Sequence, residues 1–214
     1  MAEYTSRSFD LLTLGQLLLR LSPPDNDRLS RGDTFVKQVG GAELNVAVGA
    51  SLLGLRTGVI SKLPSHDIGS FMKGKIRSFG VSDDFFMYDD SPSARVGIYY
   101  YENGAYPRKP KVIYDRMNSS FFSLNIDEIP KEVYTASKCF HTTGITLALS
   151  PQIRETTIEM IKRFKEAGTL VSFDVNFRGN LWSGDEAREC ILKILPYVDI
   201  FFCSEDTARL TFLK

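Results

Sequence analysis

The sequence predicts an α/β fold: a mainly parallel sheet covered by helices on both faces, with a small second β-sheet projecting from it. Three observations carry this. Short apolar runs alternate with helical stretches along most of the chain, as they do where parallel strands are joined by crossover helices. Between about 85 and 116 the alternation gives way to aromatic and β-branched segments around a turn-forming stretch, which is a hairpin. Apolar residues make up 43% of the 214 residues, enough to bury a sizeable core.

The elements follow in order. "FDLLTLG" at 9–15 is an apolar run closed by glycine, the pattern of a central strand. "LLLRLSPP" and "DTFVKQVGG" are two further strands separated by the polar loop from Asp25 to Asp33. From Ala42 to Leu53 the apolar residues come too densely for one face, which predicts a helix buried on most sides. "TGVISKL" is a strand, and "DIGSFMKGKIRSFG" a helix capped by Asp67 and closed by Gly80. "ARVGIYYYE" and "KVIYDR", joined by "NGAYPRKP", form the hairpin, and with strands near 17–21 and 35–39 they make the projecting sheet. "KCFHTT" is a strand, Ser150 and Pro151 begin a helix that ends at Gly168, and "TLVSFDV" is a strand. A helix around 185–195 precedes "VDIFF", read as a buried strand. Ser204, Glu205 and Asp206 then read as the cap and first turn of a last helix, with apolar positions Ala208, Leu210 and Phe212 or Leu213 in need of something to pack on. The helix suggests a fold that continues.

Composition narrows the function. Lysine plus arginine balance aspartate plus glutamate at 26 each, so no global charge favours nucleic acid or an anionic membrane, and a small-molecule or protein partner is expected. Cys139, Cys190 and Cys203 are odd in number and lack CxxC spacing, which fits buried reduced thiols in a cytoplasmic protein. The first fifteen residues carry Glu3 and Arg7 and only a short apolar run, unlike a signal peptide or membrane span. His66 and His141 have no metal-ligand spacing, and His141 reads as a core or strand-end histidine. Neither a GxSxG elbow nor a P-loop is present.

Three stretches could carry chemistry. In "VGGAELNVAVGASLLG" two glycines between strand and helix allow either a close ligand approach or simply a tight turn. Asn45, polar in an apolar helix, is a buried amide needing either ligand hydroxyls or backbone as partners. In "SFDVNFRGNLWS" Asp174, Asn176 and Arg178 alternate after a strand and so share one side at its carboxyl end. They either tie down a loop or grip a ligand, for which an arginine fork suits a carboxylate or phosphate. The tyrosines of the hairpin suit a dimer surface, a ligand lid or ordinary packing, and Arg116 adds an anion clamp.

Taken together, "LTLGQLLLRLSP", "GGAELNVAVGASLLG", "VIYDR", "HTTGITLALSP", "DVNFRGNLWS" and "VDIFFCSEDTARLTF" resemble the PfkB or ribokinase family of carbohydrate kinases, and most closely its 2-keto-3-deoxygluconate kinase branch. The resemblance covers essentially the whole chain. It implies a ribokinase-like three-layer α/β/α fold, with residues 1–214 as the N-terminal substrate-binding portion and a lid formed by about 16–39 and 94–117. The implied reaction moves the γ-phosphate of ATP to a sugar hydroxyl, with Mg2+ and in some members a monovalent cation. Carried over by position, Gly41 and Asn45 bind substrate hydroxyls, Tyr99, Tyr114 and Arg116 come from the lid, Ile145 lines the pocket, and Arg178 holds a substrate carboxylate. Asn176 and Ser204 fall near the nucleotide phosphates. Two arginines at one site favour a sugar acid over a neutral sugar such as fructose or ribose. The lid further implies a homodimer.

Two positions depart from the family pattern. Gln16 stands where an acidic residue is usual, and Thr207 where the NxxE element has Glu, which leaves the magnesium ligands unknown. The family's GAGD segment, source of the general base and of the anion-hole amides, corresponds to sequence beyond Lys214. These 214 residues by themselves are therefore expected to bind substrate without turnover. A non-catalytic sugar-binding or dimerisation module is the competing reading.

Overall fold

The structure, a computed structural model, describes residues 7–212. Its eleven strands are β1 (Phe9–Leu14), β2 (Leu18–Ser22), β3 (Val36–Gly40), β4 (Thr57–Pro64), β5 (Val81–Ser82), β6 (Phe86–Asp89), β7 (Gly97–Glu102), β8 (Lys111–Asp115), β9 (Ser137–Thr143), β10 (Leu170–Asp174) and β11 (Ile200–Phe202). The helices are α1 (Ala42–Leu52), α2 (Asp67–Arg77), α3 (Val133–Ala136), α4 (Gly144–Ala148), α5 (Pro151–Glu166), α6 (Gly184–Ile194) and α7 (Glu205–Thr211). Seven strands form the main sheet in the order β11-β10-β9-β1-β4-β5, with β6 also on β4, and every pairing is parallel. Parallel neighbours cannot be joined by a tight turn, so the chain must cross a sheet face between strands, and the helices do this. The second sheet, β3-β2-β7-β8, is the small projecting one.

Local chemistry sets the helix starts. Ser150 Oγ accepts from the Ile153 amide at 3.2 Å with Pro151 in the first turn, and Ser183 with Glu186 forms a reciprocal capping box. Two apolar clusters hold the layers. In one, Phe140 of β9 stacks on Phe164 of α5 with ring centroids 4.1 Å apart. In the other, Leu44 and Ala47 of α1 meet Val59 and Leu63 of β4 and Met72 and Ile76 of α2. All eight residues of β4 are buried, the polar Ser61 and Lys62 among them, with Ser61 Oγ donating to the Gly15 carbonyl and Lys62 paired with Glu128.

Four expectations need correction. The helix over 42–53 is not buried on most sides: Val46 is 40% exposed, Leu52 75% and Leu53 85%, because α1 presents only one face to the sheet. The strand read as buried, β11, is exposed at all three residues, because it lies at the end of the sheet order. Asp67 is the first residue inside α2, and His66 occupies the cap position without a side-chain bond. Leu213 lies outside the described residues. Of the cysteines, Cys190 is buried, whereas Cys139 and Cys203 are partly exposed.

Candidate functional site

The neighbours of β1 are β4 on one side and β9 on the other, so the carboxyl ends of β1 and β9 mark a switch point in the sheet. A crevice is expected there. The structure has a cavity of about 380 Å³ at that place, covered by the small sheet. Gly41, Ala42, Glu43 and Asn45 bring the start of α1 to it, Ile145 comes from α4, and Arg178 from the loop after β10. Tyr99 of β7, Tyr114 of β8 and Arg116 complete the wall. The seven residues expected to bind substrate therefore lie around one space.

Backbone geometry makes the approach possible. Gly41 has φ 152°, and a Cβ there would lie 2.9 Å from the Gln16 carbonyl oxygen, so only glycine brings α1 this close to the end of β1. Asn45 is exposed rather than a buried amide, since it lies on the side of α1 that turns away from the sheet and toward the cavity.

Two residues organise the floor: Glu43, which sequence reasoning passed over, and Gln16, which it marked only as a departure from the family pattern. Glu43 is 2% exposed, and its Oε1 accepts hydrogen bonds from Thr143 Oγ at 2.6 Å and Thr146 Oγ at 2.7 Å. Burial raises its pKa above the usual carboxylate value, against the pull of those two hydroxyls. A charged residue in the first turn of a densely apolar helix was the available signal. Gln16, also 2% exposed, holds Arg116: Arg116 Nε donates to Gln16 Oε1 at 2.8 Å, and Gln16 Nε2 donates to the Arg116 carbonyl at 2.9 Å. Burial lowers the guanidinium pKa of Arg116, Glu43 opposes that, and Arg178 adds to it. Arg116 remains charged at any ordinary pH. Three guanidiniums, those of Arg20, Arg116 and Arg178, with tyrosyl hydroxyls and an amide around one space, can grip a carboxylate together with several hydroxyls.

The alternation of Asp174, Asn176 and Arg178 does not survive in the fold. β10 ends at Asp174, and Asn176 takes φ 38° while its amide donates to Asp174 Oδ1 at 3.0 Å, so the chain turns instead of running extended. Arg178 enters the cavity, while Asp174 lines a separate cleft with His141, Ser172 and Phe202. His141 Nδ1 lies 2.9 Å from Ser172 Oγ, its Nε2 has no partner among the described residues, and burial pushes its pKa down to about 4. Asn176 and Ser204 are not among the residues lining the main cavity. Ser204 caps α7, with its Oγ 3.3 Å from the Thr207 amide and 2.9 Å from Thr207 Oγ1. Among the described residues no group of three or more His, Cys, Asp or Glu side chains could hold a metal ion. Nor is any helix long and apolar enough to cross a membrane.

Comparison with known proteins agrees with this fold. The family model described as pfkB family carbohydrate kinase matches residues 8–213. A 2-dehydro-3-deoxygalactonokinase of Haloferax volcanii is 38% identical over 94% of this chain and 62% of its own length. A probable fructokinase-3 of Arabidopsis thaliana is 32% identical over 96% of this chain and 59% of its own. The crystal structure of a 2-dehydro-3-deoxygluconokinase from Thermotoga maritima superimposes with a TM-score of 0.89 at 33% identity, covering 95% of this chain and 62% of that one. The chain thus spans less than two thirds of the length of each of these relatives.

Proposed function

The chain belongs to the pfkB family of carbohydrate kinases, and from that premise we propose that the whole protein phosphorylates a sugar acid, 2-keto-3-deoxygluconate, to its 6-phosphate. ATP supplies the phosphoryl group, with Mg2+ as its counterion; solved relatives that hold ATP support the use of this nucleotide. The observation that carries the substrate class is the presence of Arg116 and Arg178 around one small cavity with no carboxylate within ion-pair distance of either among the described residues. Two guanidiniums without an ion-pair partner favour a ligand that brings its own negative charge. Gly41, Asn45, Tyr99, Tyr114 and Ile145 would contact its hydroxyls and carbon chain, and Asn176 and Ser204 would lie toward the nucleotide.

Residues 1–214 alone would bind the acid without turnover. A homodimer through the projecting sheet fits the exposure of all five residues of β8, of Phe35 just before β3 and of Val36 at its start, and a cytoplasmic location fits the reaction. The test is an ADP-release assay on the full-length protein with 2-keto-3-deoxygluconate, fructose and ribose. Arg116→Ala and Arg178→Ala should each raise KM for the acid on the order of tenfold or more, since charge-assisted hydrogen bonds are lost. Preference of the wild type for fructose or ribose would overturn the reading in favour of a neutral-sugar kinase.

A further inference from the structure

The cavity face of the projecting sheet is built in rungs. β2 runs parallel to β7 with Arg20 opposite Tyr99, and β7 runs antiparallel to β8 with Tyr99 opposite Tyr114, so these side chains form one rung on one face. Leu18 and Gly97 make the rung nearer the end of β1, where a Cβ on Gly97 would come 3.3 Å from the Arg116 Cα. Tyr101 and Val112 make the rung farther out. All of these rungs border the cavity, and within them Arg20 and Arg116 are the charged residues.

The two arginines differ in their surroundings. Glu43 acts on Arg116 from the cavity floor. Arg20 stands one rung farther out, with no carboxylate within ion-pair distance among the described residues. Its guanidinium carbon lies 4.2 Å from the centroid of the Tyr101 ring, and its Nε donates to Ser22 Oγ at 2.9 Å. The ring sets the plane of the guanidinium, and Ser22 occupies its Nε–H. Its charge also reaches Tyr99, where it counters the rise that burial gives the phenol pKa. Both Nη nitrogens are left to donate toward the cavity. An arginine that served solubility alone would stand on the solvent side of the sheet, where its charge stays hydrated.

We propose that Arg20 is a further substrate-contacting and specificity-determining residue: its Nη groups take the substrate carboxylate from the lid side, while Tyr101 positions the guanidinium plane for it. A planar fork matches the paired oxygens of a carboxylate. The inference rests on the sugar-acid reading above and goes beyond it, because it assigns charge recognition to a third guanidinium carried within a strand of the lid.

The experiment uses the full-length protein as wild type, Arg20→Gln, Arg20→Lys and Tyr101→Leu. It measures kcat and KM for 2-keto-3-deoxygluconate, the constant for fructose as substrate or competitor, and the rise in melting temperature that the acid produces. Arg20→Gln should raise the acid KM about tenfold and change kcat less than about threefold, since the contact is made in ground and transition states alike. Its acid-induced rise in melting temperature should shrink, and the acid KM should rise at least about fivefold more than the fructose constant. Arg20→Lys keeps the charge but loses the fork, and should raise the acid KM about threefold, which answers the question if Arg20→Gln does not fold. Tyr101→Leu frees the guanidinium plane and should raise the acid KM by about the same factor.

In a wild type that prefers the acid, an acid KM within about twofold of wild type in both Arg20 variants overturns the assignment. An equal rise for acid and fructose overturns it as well, since Arg20 would then shape the lid rather than read a charge. A wild type that prefers fructose overturns the sugar-acid reading and the role of Arg20 with it, a result told apart from the others because it needs no variant.

Discussion

Glu43 and Thr143, one hundred positions apart, meet beneath the cavity: the Thr143 hydroxyl donates to Glu43 Oε1 at 2.6 Å, and the Thr146 hydroxyl donates to the same oxygen at 2.7 Å. The contact fastens the first turn of α1 to the junction of β9 and α4. It also explains Gly15, where an added Cβ would come 2.2 Å from Glu43 Oε2.

Replacing Glu43 by Ala leaves two buried threonine hydroxyls short of a partner and opens a void, at a cost of about 2–4 kcal/mol. Glu43→Gln keeps the acceptor and should cost less at neutral pH. Burial raises the folded-state pKa of Glu43 above that of the unfolded chain. Its contribution is therefore fully present below pH about 4.5 and declines as pH rises through the folded value. Urea unfolding at pH 4.5 and 7.5 should show Glu43→Gln gaining on wild type at the higher pH; an equal difference at both would refute the linkage.

His141 acts in the opposite sense. Its pKa falls from 6.5 to about 4 through burial, so between those values the unfolded chain takes up a proton that the folded chain refuses. Stability from this group is present above pH 6.5 and is lost as pH drops toward 4, by about 3 kcal/mol at most. His141→Leu should lose less stability than wild type over that window in the same unfolding series.

Two glycines should respond oppositely to alanine. Gly144 opens α4 with the Val175 carbonyl oxygen only 2.1 Å from where a Cβ would stand, so Gly144→Ala forces backbone apart and should cost more than about 2 kcal/mol. Gly49 lies inside α1, exposed, with nothing within 4 Å of the added carbon. Gly49→Ala should stabilise by about 0.5–1 kcal/mol, as a helix interior gains from alanine. Thermal melts of the pair test both signs.

Phe164 is fully buried, stacked on Phe140 and edge-on to Tyr134 at 5.1 Å. Phe164→Ala should cost about 3–5 kcal/mol, and a drop below 1 kcal/mol in chemical denaturation would mean that α5 collapses onto the sheet to fill the void.

Much of this architecture was legible along the chain, because the signals are local. The apolar run at 9–14, the strand pattern at 57–63, the Ser150-Pro151 start of α5 and the turn-rich stretch between β7 and β8 each depend on neighbours a few residues away. The short strands β5 and β6 and the helices α3 and α4 were not legible, since a few residues carry too little periodicity. The residues of the cavity could be named from the resemblance of the glycine-rich and "DVNFR" segments to a known family, although no spacing showed that they share a space.

The sequence by itself thus determined the order of the longer strands and helices, the projecting sheet and the residues worth watching, because capping, periodicity and turn chemistry act over a few positions. Only the tertiary structure decided that Glu43 is buried and Asn45 exposed on neighbouring positions of one helix, that Asn176 turns the chain away from extension, and that Gln16 holds Arg116. Each of those outcomes turns on where the helix, loop or side chain meets elements distant in the chain, and burial and hydrogen bonding at such meetings are properties of the assembled layers rather than of any local stretch.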